Sequence, residues 1–288
     1  MLKRIAIALA CLLAPASLIG AFAQEAPHIE QRAWSFDGPF GRYDRAAVQR
    51  GFLVYSRVCA SCHALDHLSY RNLGEEGGPF AAYRVRNEET GEIEITLGLH
   101  GGHEGQLVPA TDNPYVQAIA AEAQAPDIDQ ETGNEIERPA RPSDRFRAPY
   151  ANAIAAAYAN GGAAPPDLSV MALARHGGAN YIYALLTGYA DPPAGADIVE
   201  GKHYNRAFPG HWIAMPAPLA SEGIVTYSDE TPATPSQMAS DVAHFLQWAA
   251  DPHLEARHRL GLVTLVFLSV LALLLYLAYK QVWRGVKH

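Results

Sequence analysis

Two cysteines and a histidine fall within five residues in Val58-Cys-Ala-Ser-Cys-His-Ala-Leu65. A Cys-x-x-Cys pair supports three chemistries: dithiol redox exchange, half of a zinc site, or two thioether bonds to haem vinyl groups. His63, directly after the pair, separates them. On a helix Cys59 and His63 are i and i+4 with Cys62 beside them, so all three project to one side. Two sulfurs can then hold a porphyrin edge while the imidazole reaches iron from below. Zinc would need a second pair of ligands, and the chain has three cysteines, of which Cys11 lies in an N-terminal apolar run. A thioredoxin-type dithiol would need a βαβ setting, whereas the flanks carry helical periodicity. The motif is read as the attachment site of one covalently bound haem c.

Iron then needs a sixth ligand or an open position. Beyond Met1 the methionines are Met171, Met215 and Met238. Met238 lies on an apolar helical stripe, and Met171 follows the Asp167-Leu-Ser-Val170 turn; both read as core. Met215 sits in Gly210-His-Trp-Ile-Ala-Met-Pro-Ala-Pro218, an extended stretch stiffened by Pro216. His67, His176, His203 and His211 are competing donors, none of them in a motif. A His/Met pair would favour Fe(II), bind no substrate and pass single electrons. A vacant or labile sixth position would instead suit a haem enzyme or gas sensor. The His63 imidazole also needs its other nitrogen held by an acceptor. A backbone carbonyl in the rigid Ala164-Pro-Pro-Asp167 loop, which contains Pro166, is the natural one.

Three helices are expected to position these groups. Asp44 to Val58 has near-helical apolar spacing and leads straight into the motif. Ala179 to Tyr189 is the second. Pro235 to Ala250 is the third, with Ser236 as its expected N-cap and Pro252 closing it. Between them Arg86 to Arg147 is rich in Glu, Gly, Pro and Asp. Within it Glu89-Thr-Gly91 and Glu131-Thr-Gly133 could each turn a hairpin. Pro165-Pro166, Pro192-Pro193 and Pro216 to Pro218 predict long loops.

The termini bear on compartment. Met-Leu-Lys-Arg is followed by an uncharged run from Ile5 to the small-x-small end Ala21-Phe-Ala23. Residues 1–23 read as a cleaved export signal. Ala8 stands where a lipoprotein signal would carry Leu, so Cys11 is set aside. Leu260 to Tyr279 is a 20-residue uncharged run, long enough to cross a hydrocarbon core of ~30 Å. Residues 24–259 are thus expected outside the cytoplasm, 260–279 in the membrane and the 280–288 tail inside. Lys+Arg number 22 against 30 Asp+Glu. Without Lys3 and Arg4 the balance is 20 against 30, or −10; without Lys280, Arg284 and Lys287 it is −13. Such a domain does not bind nucleic acid, and its field would steer a basic soluble partner.

With Cys59, Cys62, His63, Met215 and one C-terminal anchor in place, the chain resembles the cytochrome c1 family, the haem c subunits of cytochrome bc1 complexes. Tyr70-Arg-Asn-Leu73, Ala164-Pro-Pro-Asp-Leu-Ser169, Ala174-Arg-His-Gly-Gly178 and Tyr183-Ala-Leu-Leu-Thr-Gly-Tyr189 carry the resemblance. So do Tyr204-Asn205, Phe208-Pro-Gly210, Ala214-Met-Pro216, Thr231-Pro-Ala-Thr234 and Phe245-Leu-Gln-Trp-Ala-Ala250. The resemblance implies a mainly α fold, an extended class I cytochrome c with long loops and one transmembrane helix. The helix before Cys59 would cross the one ending near Ala250. It implies Met215 as the sixth ligand, with Pro166, Tyr70 and Arg71 in the pocket. Electrons would arrive from the Rieske iron–sulfur protein and leave to a basic cytochrome c, with cytochrome b beside the anchor in a dimeric complex. The chain would be a redox subunit with no catalytic site of its own. It would sit in a bacterial inner membrane, its haem domain periplasmic. The alternative is a free-standing tethered cytochrome c feeding a terminal oxidase or reductase.

Three departures stand out. Tyr158 occupies the place where the family usually has an arginine for a haem propionate, which leaves Arg71, Arg84 or Arg175 as substitutes. Residues 86–108 exceed the family minimum and read as a surface insertion. Two mature cysteines leave none for the structural disulfide of some bacterial relatives.

Overall fold

The computed structural model describes residues 27–98 and 105–285. The expected export signal and the end of the expected tail, 286–288, lie outside them. The architecture is mainly α. Among the described residues the helices are α1 (Arg45–Arg57), α2 (Pro114–Ala121), α3 (Ala153–Ala159), α4 (Met171–Ala174), α5 (Gly178–Thr187), α6 (Pro235–Ala250) and α7 (Leu254–Trp283). Short strands fill part of the loops: β1 (Ala82–Arg86), β2 (Ile93–Leu97), β3 (Gln106–Leu107), β4 (Gln124–Ile128), β5 (Glu135–Pro139), β6 (His203–Tyr204) and β7 (Trp212–Ile213). The first three form an antiparallel sheet in the order β2-β1-β3, while β4-β5 and β6-β7 pair separately.

The centre of the fold is α1 packed on α6. Asp44 starts α1 as expected, its Oδ1 accepting from the Ala47 N–H at 3.1 Å. Ala47, Val48, Phe52, Val54 and Tyr55 are buried. Phe52, Tyr55, Phe146 and Phe245 interlock with ring centroids 5.5 to 6.4 Å apart. Helix α6 spans Pro235–Ala250 as expected, but its N-cap is not Ser236. Thr234 is the N-cap, its Oγ1 accepting from Gln237 N–H at 3.2 Å. Pro235 is pre-set for the first helical position, so the cap falls just before it. The Ser236 hydroxyl instead meets the Tyr183 hydroxyl at 2.8 Å, tying α5 to α6.

Gly51 lets the two helix backbones touch. A Cβ there would stand 1.9 Å from the Asp241 carbonyl oxygen and 2.7 Å from the Phe245 Cβ. Beside this contact Arg50 spans both helices. Its Nε and Nη2 donate to the Asp241 carboxylate at 3.0 and 3.1 Å, and its Nη1 to Asp229 at 2.6 Å. Gly51→Ala should therefore destabilise the holoprotein by at least about 2 kcal/mol in denaturant unfolding, because rigid backbone has to separate. A stability equal to wild type would show that the helices do not meet here.

Both expected hairpin turns form, with matched geometry. Gly91 N–H donates to Asn87 O and Gly133 N–H to Asp129 O, each at 2.8 Å. Both glycines have φ of +71°, the left-handed turn conformation that glycine adopts without strain. The first turn joins β1 to β2, within the stretch 86–108, and the second joins β4 to β5.

The expected apolar span lies inside α7, which has 30 residues, about 45 Å at 1.5 Å per residue. It is the one helix among the described residues long and apolar enough to cross a membrane. It begins earlier than the apolar run because its first turn belongs to the head. Leu254 is buried. Glu255 pairs with Arg45 at 3.0 Å and accepts from the Tyr43 N–H at 2.9 Å. The Tyr43 hydroxyl donates to Asp251 O at 2.9 Å.

Candidate functional site

Helix α1 ends at Arg57 with Val58 as its C-cap, matching the expected span, and the motif beyond it does not keep regular helical spacing. Cys59–Ser61 tightens into a 3-10 turn. One helical bond survives it, from His63 N–H to Cys59 O at 2.9 Å, alongside Cys62 N–H to Cys59 O at 3.1 Å. The turn keeps Cys59, Cys62 and His63 in one compact loop without the spacing of a regular helix.

Both cysteines are free thiols. Burial, with the Cys62 thiol adding to it, pushes the Cys59 thiol up to about 12. A redox dithiol needs a readily formed thiolate, so the dithiol reading loses support. Among the described residues no three His, Cys, Asp or Glu side chains converge on a possible metal position. A neutral thiol still suits thioether formation.

His63 is held from below. Its Nδ1 lies 2.8 Å from Pro166 O. A carbonyl only accepts, so Nδ1 carries the proton and Nε2 keeps its lone pair. Burial lowers the imidazole pKa, which favours this neutral form. The two segments are laced together over the following residues. Leu168 N–H donates to Ala64 O at 2.9 Å, Asp66 N–H to Asp167 Oδ2 at 2.8 Å, and His67 N–H to Ser169 Oγ at 3.1 Å. The diproline stiffens one side of this ladder, so the imidazole acceptor has little freedom to move.

Two tyrosines outside the sequence expectations flank the motif. Tyr55 donates to His63 O at 3.2 Å; it precedes Cys59 by four residues on α1, a spacing that points to that turn. The Tyr150 hydroxyl lies 3.9 Å from Cys62 Sγ and accepts from Asn160 Nδ2 at 3.1 Å. No local signal marks Tyr150, because its contact depends on α3 folding back. The same helix leaves Ile154 and Tyr158 83% and 90% exposed. Two thiols and a directed imidazole in one short loop fit the attachment of a macrocycle.

Of the three methionines among the described residues, Met238 is fully buried in the core and Met171 packs against it. Met215 is half-buried in the loop after β7 and outside that core. Its carbonyl accepts from the Tyr189 hydroxyl at 3.0 Å. Among the competing donors His67, His176 and His203 are exposed. His211 Nδ1 donates to Asn205 O at 3.2 Å. Tyr70 packs against Phe146 within the core, the ring centroids 4.3 Å apart and the planes tilted by 36°. Arg71 pairs with Glu75 at 3.7 Å, and Arg84 lies in β1. Arg175, just past α4, is exposed and makes no salt bridge among the described residues.

The model of the family described as the Cytochrome C1 family matches residues 34–286. The chain belongs to the cytochrome c1 family. It is 40% identical over 276 residues to "Cytochrome c1" of Rhodospirillum rubrum, covering 90% of this chain and 89% of that protein. It is 42% identical over 271 residues to a mitochondrial "Cytochrome c1 1, heme protein" of Arabidopsis thaliana, 93% of this chain and 77% of that one. A third relative, "Cytochrome b/c1" of Bradyrhizobium diazoefficiens, is 42% identical over 269 residues. That match covers 87% of this chain but 35% of the longer protein. A cytochrome c1 carries one covalently bound haem c and serves electron transfer in a bc1 complex. Its attachment motif stands here as Cys59-x-x-Cys62-His63, and α7 fits its single membrane anchor.

Proposed function

We propose that this cytochrome c1 passes single electrons from a Rieske iron–sulfur protein to a basic soluble cytochrome c, within a dimeric bc1 complex that includes cytochrome b. The reading is carried by the directed His63 imidazole, held by Pro166 O at 2.8 Å beside two free thiols, in a chain of this family. When bound, the haem supplies a one-electron Fe(III)/Fe(II) couple. The protein's own residues do the rest. Cys59 and Cys62 anchor the macrocycle, His63 offers Nε2, and Met215 offers its thioether. Pro166 and Tyr55 hold the histidine segment. Arg71, Arg84 and Arg175 are the cations offered to a propionate in place of Tyr158, which has no charge, and of these Arg175 is exposed and makes no salt bridge among the described residues. Tyr70 supports the pocket through its packing on Phe146.

Export of residues 24–259, with 280–288 left in the cytoplasm of a bacterial cell, follows from reading 1–23 as a signal. The exported charge of −13 suits a basic acceptor, whose arrival it would speed at low salt. A relative whose name joins b to c1 supports cytochrome b as the membrane neighbour.

Mild-detergent capture of the tagged chain from native membranes tests this. A b-type spectrum together with a Rieske protein in mass spectra is the expected result. A chain that leaves the membrane without them, accompanied by a terminal oxidase, would establish the free-standing tethered cytochrome instead.

A further inference from the structure

The loop that presents Met215 is built around a polar hub. Asn205 is fully buried, and each polar atom of its side chain is used. Its Nδ2 donates to Leu185 O at 2.7 Å, a carbonyl in the last turn of α5. Its Oδ1 accepts from Ala207 N–H at 2.9 Å and Phe208 N–H at 3.2 Å. The Asn205 N–H donates to His211 O at 2.8 Å, and the Asn205 carbonyl receives the His211 Nδ1–H.

The hub is crowded and partly strained. A Cβ on Gly188 would lie 2.9 Å from Asn205 Oδ1. His211 has φ of +65°, a left-handed conformation that a histidine holds only when its surroundings over-determine it. Here the stack of its ring on Tyr204 at 5.5 Å and the two bonds to Asn205 do so. From the hub β7 runs through Trp212 and Ile213 to Met215. The far side of the loop is tied by the Tyr189 hydroxyl on Met215 O. Tyr189 itself bridges to Asn205 through the backbone. One helix end, α5, thus holds the methionine segment at two points.

We infer that Tyr189 and Asn205 are positioning residues that clamp the Met215 segment and set how readily its thioether leaves the metal. The inference rests on Met215 being the sixth ligand. Neither side chain needs to touch the haem. Without the clamp the segment keeps its sequence and its β6–β7 pairing but loses the bonds that hold Met215 in place.

The test uses the full-length holoprotein in its complex at one pH and compares Tyr189→Phe, Asn205→Asp, Met215→Leu and Tyr183→Phe. Tyr189→Phe keeps the ring and deletes the donor to Met215 O. Asn205→Asp keeps an acceptor and deletes the donor to Leu185 O. Each should raise the rate of CO binding to the reduced protein roughly 5- to 10-fold, the effect of one lost hydrogen bond on an opening equilibrium. Each should also lower the temperature at which the weak sulfur–iron charge-transfer absorption disappears. Tyr183→Phe loses a hydroxyl on the same helix that meets only Ser236 and should match wild type. Wild-type CO rates and wild-type band loss in Tyr189→Phe, or in Asn205→Asp should the first not accumulate, overturn the clamp. If those variants are silent while Met215→Leu abolishes the band, the clamp alone fails. If the band survives in Met215→Leu, the ligand reading fails with it.

Discussion

Met215→Leu should turn a low-spin, gas-resistant centre into a high-spin one that binds CO rapidly once reduced. Leucine nearly matches methionine in volume, so the half-buried loop after β7 can keep its packing. What disappears is the sulfur lone pair. Thioether ligation favours the reduced state, so the midpoint potential should fall by at least ~60 mV, one factor of ten for a one-electron couple. Optical redox titration and flash-photolysis CO kinetics on isolated membranes read both effects. An unchanged charge-transfer band would move the ligand role to another donor. Met171 would be the first to examine, since only another thioether could preserve a sulfur–iron band and Met171 is partly buried, whereas Met238 is enclosed in the core.

Cys59→Ala combined with Cys62→Ala should abolish covalent haem staining on a denaturing gel while leaving His63 in place. The argument is local. The 3-10 turn and its C-cap Cys62 keep both cysteines in one short loop with His63. Neither thiol is spent on a disulfide or, among the described residues, on a cluster that could hold a metal. Each single variant should retain staining through the remaining thioether, in lower yield. Full staining in the double variant would mean that attachment occurs elsewhere, and the reading of the motif would fall with it.

The chemistry was legible in the sequence because it is written in contiguous residues. Val58 to Leu65 names the attachment motif, and Ala164 to Asp167 supplies a stiff loop with a spare carbonyl at Pro166. The helices α1, α5 and α6 were legible for a similar reason: apolar spacing and caps are local signals. Two local expectations still missed. The N-cap of α6 is Thr234 because Pro235 takes the first helical position, and the motif folds as a 3-10 turn rather than with regular helical spacing.

Tertiary structure alone decided which residues meet across the chain. That Tyr150 reaches Cys62, that Arg50 bridges to Asp241, and that Asn205 binds the end of α5 depend on loops closing over 88, 191 and 20 positions. Hydrogen bonds at that separation leave no periodicity to read, because neither partner is constrained by its own neighbours. They are specified by burial, which leaves a polar group such as Asn205 no water to bind and so forces it to find a partner in the fold. The sequence by itself determined what this protein holds; the packing of α1, α5 and α6 decided how firmly it holds it.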